Sequence, residues 1–277
     1  MVAAPALAAM LAWSILVEPA SLIVRKVIVK TAKWPAAATP LRMAVIADLH
    51  VGSPFNGLDA LDRLVARVNR LRPDVVLLLG DYVIHGVAFG SFVSPGTIAE
   101  RLGRLRAPHG VIAILGNHDY MYGGARVRRH LEDAGIIVLE DQVHPIDTAG
   151  GRIWFAGLKD GVSGSPDTKG TIAKASAAEP VIVLSHDPAV FKDVPERGFL
   201  TLAGHTHGGQ INLPFINPLT TPGRALVKYE RGAYRDGKKL MYISAGIGTS
   251  VLPARFNMRP ELLIVSLKNS TTVEPQN

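Results

Sequence analysis

The 277-residue chain contains no cysteine. Disulfides and thiolate metal sites are thereby excluded, so any metal must be held through nitrogen and oxygen. The absence suits either side of a bacterial-type membrane and fixes no compartment. Aromatic residues make up only 6% of the chain, and no basic stripe with interleaved aromatics is present. The nearest approach, Arg126-Val127-Arg128-Arg129-His130, reads as a solvated helix face, so no specific nucleic-acid binding is expected. There is no internal repeat and no low-complexity tract. What remains, 48% hydrophobic residues with 27 glycines and 19 prolines, describes a globular, loop-rich protein.

Charge is missing altogether between Val2 and Val17. After Glu18 the apolar run resumes at Leu22-Ile23-Val24, and Arg25, Lys26, Lys30 and Lys33 follow. A spanning helix needs about 20 apolar residues. No basic residue precedes the run and no twin arginine is present, so a cleavable export signal is not expected. Residues 1–40 therefore read as a membrane-associating segment and linker, and residues 41–277 as the folded domain. Residues 1–33 are expected to span the membrane or to lie on its anionic surface. The basic flank would place the domain on the cytoplasmic side of the inner membrane. The competing reading is a helix packed on the domain itself.

From residue 41 onward, short apolar runs alternate with helical periodicity. Strands are predicted at 43–47, 75–79, 111–115, 136–139, 153–156, 181–184, 200–203, 240–244 and 262–267. Helices are predicted at 58–71, 98–105, 126–133 and 171–178. This order implies a layered α/β sandwich around mixed β-sheet.

Five polar clusters fall directly after five of these strands: Asp48-Leu49-His50, Gly80-Asp81, Gly116-Asn117-His118-Asp119, Ser185-His186-Asp187 and Gly204-His205-Thr206-His207. Ligands collect at the carboxyl ends of strands in open α/β sheets, so clusters remote in sequence can share one crevice. Residues two apart in extended chain point the same way, which lets Asp48 and His50 reach one metal, and His205 and His207 one metal pair. Asn117 and His118 point apart, so one can ligate while the other faces substrate. Asp119 either orients His118 or is a solvated loop residue. Such a set of histidine, aspartate and asparagine suits Mn²⁺, Fe or Zn²⁺ better than Ca²⁺.

The ordered set resembles the calcineurin-like metallophosphoesterase superfamily, whose pattern is Asp-x-His, Gly-Asp, Gly-Asn-His-Glu/Asp, His and Gly-His-x-His. The match runs from about residue 41 to residue 267. The resemblance implies a four-layer α/β/β/α sandwich. It implies two divalent ions, one on Asp48, His50 and His207, the other on Asn117, His186 and His205, with Asp81 bridging both. His118 would be the substrate-facing histidine. Two ions ~3.5–4 Å apart activate a shared water for in-line attack on phosphorus as hydroxide.

Protein phosphatases of this superfamily carry Gly-Asp-x-Val-Asp-Arg-Gly, whereas this chain has Gly80-Asp81-Tyr82-Val83-Ile84-His85-Gly86, which argues against that activity. The stretch from Gly204 to Ile211, with Gly246-Ile247-Gly248-Thr249-Ser250, Arg255-Phe256 and Arg259-Pro260-Glu261, resembles a bacterial branch of membrane-associated phosphodiesterases. Some of its members cleave the pyrophosphate of UDP-2,3-diacylglucosamine in lipid A synthesis. Arg255 becomes the candidate phosphate-binding residue, since a guanidinium matches phosphate bidentately. Ile211, Leu213, Phe215, Ile216 and Leu219 would contact an acyl chain or the bilayer, or form a capped loop over the core. The expected activity is thus hydrolysis of a lipid- or nucleotide-linked phosphoester. Its rivals are a soluble phosphodiesterase or nuclease, and a metal-stabilised scaffold without activity.

Overall fold

The apolar runs of the sequence become strands because their side chains are buried on both faces. The structure, a computed structural model, describes residues 3–213 and 229–270. Numbered in chain order, β2 (Leu41–Ile46), β3 (Val75–Leu78), β4 (Val111–Ala113) and β5 (Ile137–Val138) lie side by side in parallel. β12 (Glu261–Asn269) runs antiparallel to β2, and β1 (Ile23–Thr31) closes the edge in parallel with β12. The second sheet has the order β10 (Gly232–Asp236), β11 (Lys239–Ile243), β9 (Gly198–Ala203), β8 (Val181–Ser185), β7 (Gly151–Gly157), β6 (Gln142–Thr148). Only its outermost pairs, β10–β11 and β6–β7, are antiparallel.

Alternation of side chains builds the layers. Met43 and Val45 of β2, with Leu77 and Ile112, face Phe155, Ile182, Leu184 and Leu200 of the other sheet in one core. Ala44 and Ile46, pointing the opposite way, pack with Leu61, Leu64 and Val68 of α2 (Leu58–Leu71). The same layer takes Ile98 and Leu102 of α3 (Pro95–Leu102), and Val127 and Leu131 of α4 (Asn117–Asp133). On the outer face of the second sheet, Val181 and Val183 meet Ile172 of α5 (Thr168–Ala173). Two mixed sheets between two helical layers is the sandwich expected from the sequence.

The N-terminus departs from expectation. A helix, α1 (Ala3–Ala12), continues through a π-helical turn at Trp13–Val17. Residues 23–31, assigned above to a membrane segment and its basic flank, are β1, paired with β12 from Ile23↔Glu261 to Thr31↔Asn269. The β-branched run Ile-Val-x-x-Val-Ile-Val favours a strand, and Lys26 and Lys30 stay exposed, as suits an edge. The folded unit therefore begins before residue 41. Among the described residues no helix is long and apolar enough to cross a membrane. Glu18 lies just past the π-helical turn. It is buried and accepts hydrogen bonds from Trp13 Nε1 at 3.0 Å and from the Met258 backbone.

Phe155 is fully buried between the sheets. Phe155→Ala is expected to lower unfolding free energy by about 3–5 kcal/mol with an unchanged denaturant slope, measured by urea titration.

Candidate metal centre

β2 runs into Asp48 and His50, β3 into Gly80-Asp81, β4 into Gly116-Asn117-His118, β8 into His186 and β9 into His205 and His207. The loops turn sharply there. Asp48, His50, Asp81, His205 and His207 all have left-handed backbone, with φ of 52°, 40°, 58°, 70° and 52°. Each such residue costs on the order of 1–3 kcal/mol and persists only where its surroundings over-determine it. Gly116 serves close approach instead, since a Cβ there would collide with Asp81 Oδ1 and His186 Cε1.

The turns bring the seven predicted side chains together. Asp48, His50 and His207 place one donor atom each within 4.8 Å of one another, and so do Asp81, His186 and His205. Asp81 Oδ2 stands between the groups, 3.4 Å from His50 Nε2 and 3.3 Å from His186 Nε2. Asn117 Oδ1 lies 3.1 Å from His186 Nε2, and His50 Nε2 lies 3.1 Å from His207 Nε2. His118 joins His50 and Asp81 as a third, overlapping group. Its ring meets His50 edge-on at 4.6 Å, its backbone N–H donates to Asp81 Oδ1 at 2.8 Å, and it is partly exposed. Asn117 and His118 therefore do part company: one turns to His186, the other to His50.

The ring orientations test whether this set fits cations. His50 Nδ1 lies 3.1 Å from the Val83 carbonyl and His186 Nδ1 2.8 Å from that of Leu79. Donation from Nδ1–H fixes the ring orientation and aims Nε2 at the centre, as a lone pair in His50 and, once its proton is displaced, in His186. Asp48 Oδ1 accepts from the His205 N–H at 2.9 Å, but its Oδ2 is buried with no hydrogen-bond partner. A buried carboxylate oxygen without a donor is costly, and a divalent cation is the partner this nitrogen and oxygen set suits. The residues fit the group.

Two assignments are corrected. Asp119 is neither a solvated loop residue nor a partner of His118. It is fully buried, Oδ2 accepting from the backbone of Asp81 at 2.8 Å and Gly116 at 2.9 Å, and Oδ1 from Tyr82 at 2.9 Å. A carboxylate three residues after a helix N-cap is the sequence signal for this one-way cap, in which Asp119 accepts from the Gly116 N–H. His118 Nδ1 has no hydrogen-bond partner. Arg255, expected to meet phosphate, is fully buried and faces away from solvent. Its guanidinium donates to the carbonyls of Met258 at 3.1 Å, Ala245 at 2.9 Å and Gly248 at 2.6 Å, and stands 3.4 Å from His207 Nδ1. It props the loop behind His207. The sequence offered no sign of this, because those partners come together only in the fold. Of the apolar loop, Phe215, Ile216 and Leu219 lie outside the described residues, while Ile211 bridges to Phe256.

Burial dominates the electrostatics. It pushes the Asp48 carboxyl up to about 7, and holds His50 down at about 4 and His205 at about 3. Burial likewise depresses His207. His186 and Asp81 go the other way: burial opposes their charged forms, but their mutual attraction raises the imidazole and holds the carboxyl well below its usual range. His50, His205 and His207 thus stay neutral, with lone pairs free.

A sign follows for pH. Asp48 carries a proton below about pH 7, and His186 carries one at neutral pH, and a cation must displace both. Divalent-cation affinity is expected to fall as pH drops, more steeply below about 7, where the number of protons released per chain rises. Calorimetry in buffers of different ionisation enthalpy measures that number, and pH-independent uptake would contradict the protonation pattern.

Residues 41–217 match the family model described as calcineurin-like phosphoesterase. An uncharacterized metallophosphoesterase of Bacillus subtilis, YkuE, is 31% identical over 245 residues, 87% of this chain and 84% of that protein. The phosphodiesterase YaeI of Escherichia coli is 32% identical over 241 residues, 83% of each chain. Of a Helicobacter pylori metallophosphoesterase, 29% identical over 234 residues, the chain spans only 60%. The NAD nucleotidase of Haemophilus influenzae shares the fold, with a TM-score of 0.50 at 15% identity over 76% of this chain and 46% of that one. The chain belongs to the calcineurin-like metallophosphoesterases, and it is a metal-dependent hydrolase of phosphoester bonds.

Proposed function

We propose that this hydrolase is a dinuclear phosphodiesterase or pyrophosphatase, acting at a membrane surface on a lipid- or nucleotide-linked phosphoester such as UDP-2,3-diacylglucosamine. The observation that carries the dinuclear reading is the position of Asp81 Oδ2, shared between His50 at 3.4 Å and His186 at 3.3 Å, each in a separate donor group. Asp48, His50 and His207 would hold one ion, Asn117, His186 and His205 the other, and Asp81 both. Mn²⁺ suits the mixed donors, with Fe or Zn²⁺ as alternatives. When bound, the ions supply Lewis acidity toward the phosphoryl oxygens and a lowered pKa for a coordinated water.

The protein's own contribution is orientation and exclusion of bulk water. The aspartate and histidine ligands are buried, Asn117 and His118 are partly exposed, and His118 is the one that can meet a leaving oxygen. Burial lowers its pKa, so its proton is easily surrendered once acquired, and no protein group competes for its Nδ1. The resemblance to a phosphodiesterase supports diester chemistry, and the exposed apolar residues Leu7, Leu11 and Leu16 of the N-terminal helix support a lipid surface nearby.

His118→Ala is expected to keep its cations and lose ~10²–10⁴-fold in turnover, as for a general acid, whereas Asp81→Ala loses cations and activity together. Metal analysis beside hydrolysis of bis-p-nitrophenyl phosphate separates the two, and equal metal loss would remove His118 from its assigned role. Parallel assays of UDP-diacylglucosamine and single-stranded DNA with Mn²⁺ test the substrate. Turnover of DNA alone would overturn the lipid-linked reading.

A further inference from the structure

Behind the loop that carries Asp48 and His50, a cleft of about 470 Å³ opens between α2 and the segment 19–22. It contains none of the seven donors. Four arginines line it, Arg63, Arg67, Arg70 and Arg259, and no acidic residue does. The three on α2 are spaced i, i+4 and i+7, so they rise along one face of the helix. The nearby carboxylate of Asp62 is already engaged, 3.3 Å from Arg101 and 3.6 Å from Arg104. Among the described residues none of the four cleft arginines forms an ion pair.

Like charges held together without counter-ions are poised for an anion, and two of the four are already oriented. Arg67 Nη1 donates to the Leu22 carbonyl at 3.3 Å, and Arg259 Nε donates to Ser21 O at 3.1 Å and Ser21 Oγ at 3.0 Å. Their remaining N–H groups are left for a ligand, in the fork geometry that matches phosphate oxygens. Leu22, Phe55, Leu64 and Ile247 add apolar surface to the lining, beside the polar Ser21 and Asn56. The segment 19–22 that forms this wall continues directly from α1 and its π-helical turn, where Leu7, Leu11 and Leu16 are more than half exposed at 59%, 53% and 59%.

We infer that this cleft binds the phosphate headgroup of an anionic phospholipid, with the acyl chains running toward the exposed apolar face of α1. The inference shares the membrane setting of the proposed function but not its metal centre.

Sedimentation of the full chain with phosphatidylcholine vesicles, with and without 30% phosphatidylglycerol, tests it. The expected result is preference for the anionic vesicles. Arg63→Gln/Arg70→Gln should weaken binding to the anionic vesicles by about 30-fold, since each basic residue near an anionic surface contributes about fivefold. Arg63→Lys/Arg70→Lys, which keeps the charge but loses the forked donors, should weaken it by about fivefold or more. Both variants should hydrolyse soluble bis-p-nitrophenyl phosphate like the parent chain, which shows that they fold. Full binding by the lysine variant would mean diffuse attraction without a site. Protection by inorganic phosphate or glycerol phosphate without vesicle binding would assign the cleft to a soluble anion. Either outcome overturns the inference, as does a parent chain that ignores both vesicles. Loss of hydrolysis in the parent chain with arginine-dependent vesicle binding intact would instead sink the proposed function alone.

Discussion

Asp48, His50, Asp81, His186, His205 and His207 are buried around one point, and apart from the attraction between Asp81 and His186 burial works against their charged forms. Burial and the Asp81 charge keep Asp48 protonated up to about 7, while burial and neighbouring imidazoles keep His50 neutral down to about 4. Desolvated groups of this kind cost several kcal/mol unless paired, and five of the six also sit on strained left-handed backbone. Nothing in hydrophobic collapse favours such an arrangement. It survives because the surrounding scaffold leaves it no alternative, and the balance changes sign when positive ions supply the missing charge.

That scaffold is made of polar ties, some from Asp119 outside the donor groups and some from atoms of the donors that face away from the centre. Asp119 binds the Gly80–Tyr82 loop to the start of α4 with one carboxylate, so the turn that aims Asp81 and the helix that presents Asn117 and His118 are fixed to the same anchor. His186 Nδ1 reaches the Leu79 carbonyl, and the His205 N–H reaches Asp48 Oδ1, so each contact crosses from one sheet to the other. The metal centre is therefore also the seam at which the two sheets are held in register. A change that loosens one sheet displaces side chains of both donor groups, which is why the groups cannot be understood as independent of one another.

Legibility in the sequence followed burial. β2, β3, β8 and β9 are covered on both faces, so they read as continuous apolar runs, and the polar cluster that follows each run stood out as a set of candidate ligands. β6 and β10 are edge strands with exposed positions, and their sequences, Gln-Val-His-Pro-Ile-Asp-Thr and Gly-Ala-Tyr-Arg-Asp, carry too little apolar signal to be recognised. β1 was misassigned for a related reason. Its lysines were read as a basic flank, and in the fold they lie exposed along an edge strand. Asp119 could have been read from helix capping, since its spacing from Gly116 is local. Arg255 could not, because its carbonyl partners and His207 become neighbours only in the folded chain.

The N-terminal segment and the metal centre share one loop, and this links them mechanically. Arg255 holds the carbonyls of Ala245 and Gly248 from one side, and its backbone N–H donates to the Ser14 carbonyl at 2.9 Å on the other. Glu18 adds the Met258 N–H, and Ser21 adds the Arg259 side chain. The π-helical turn and residues 18–21 after it are thus fastened to residues 255–259 at several points, and residue 255 is the prop behind His207. Any surface that takes up the apolar helix is consequently set at a defined angle to the donor cluster, with a chain of hydrogen bonds rather than a flexible tether between them. A hinge would need a run of unpaired backbone between residues 12 and 23, and the segment instead carries the π-helical turn and a buried carboxylate.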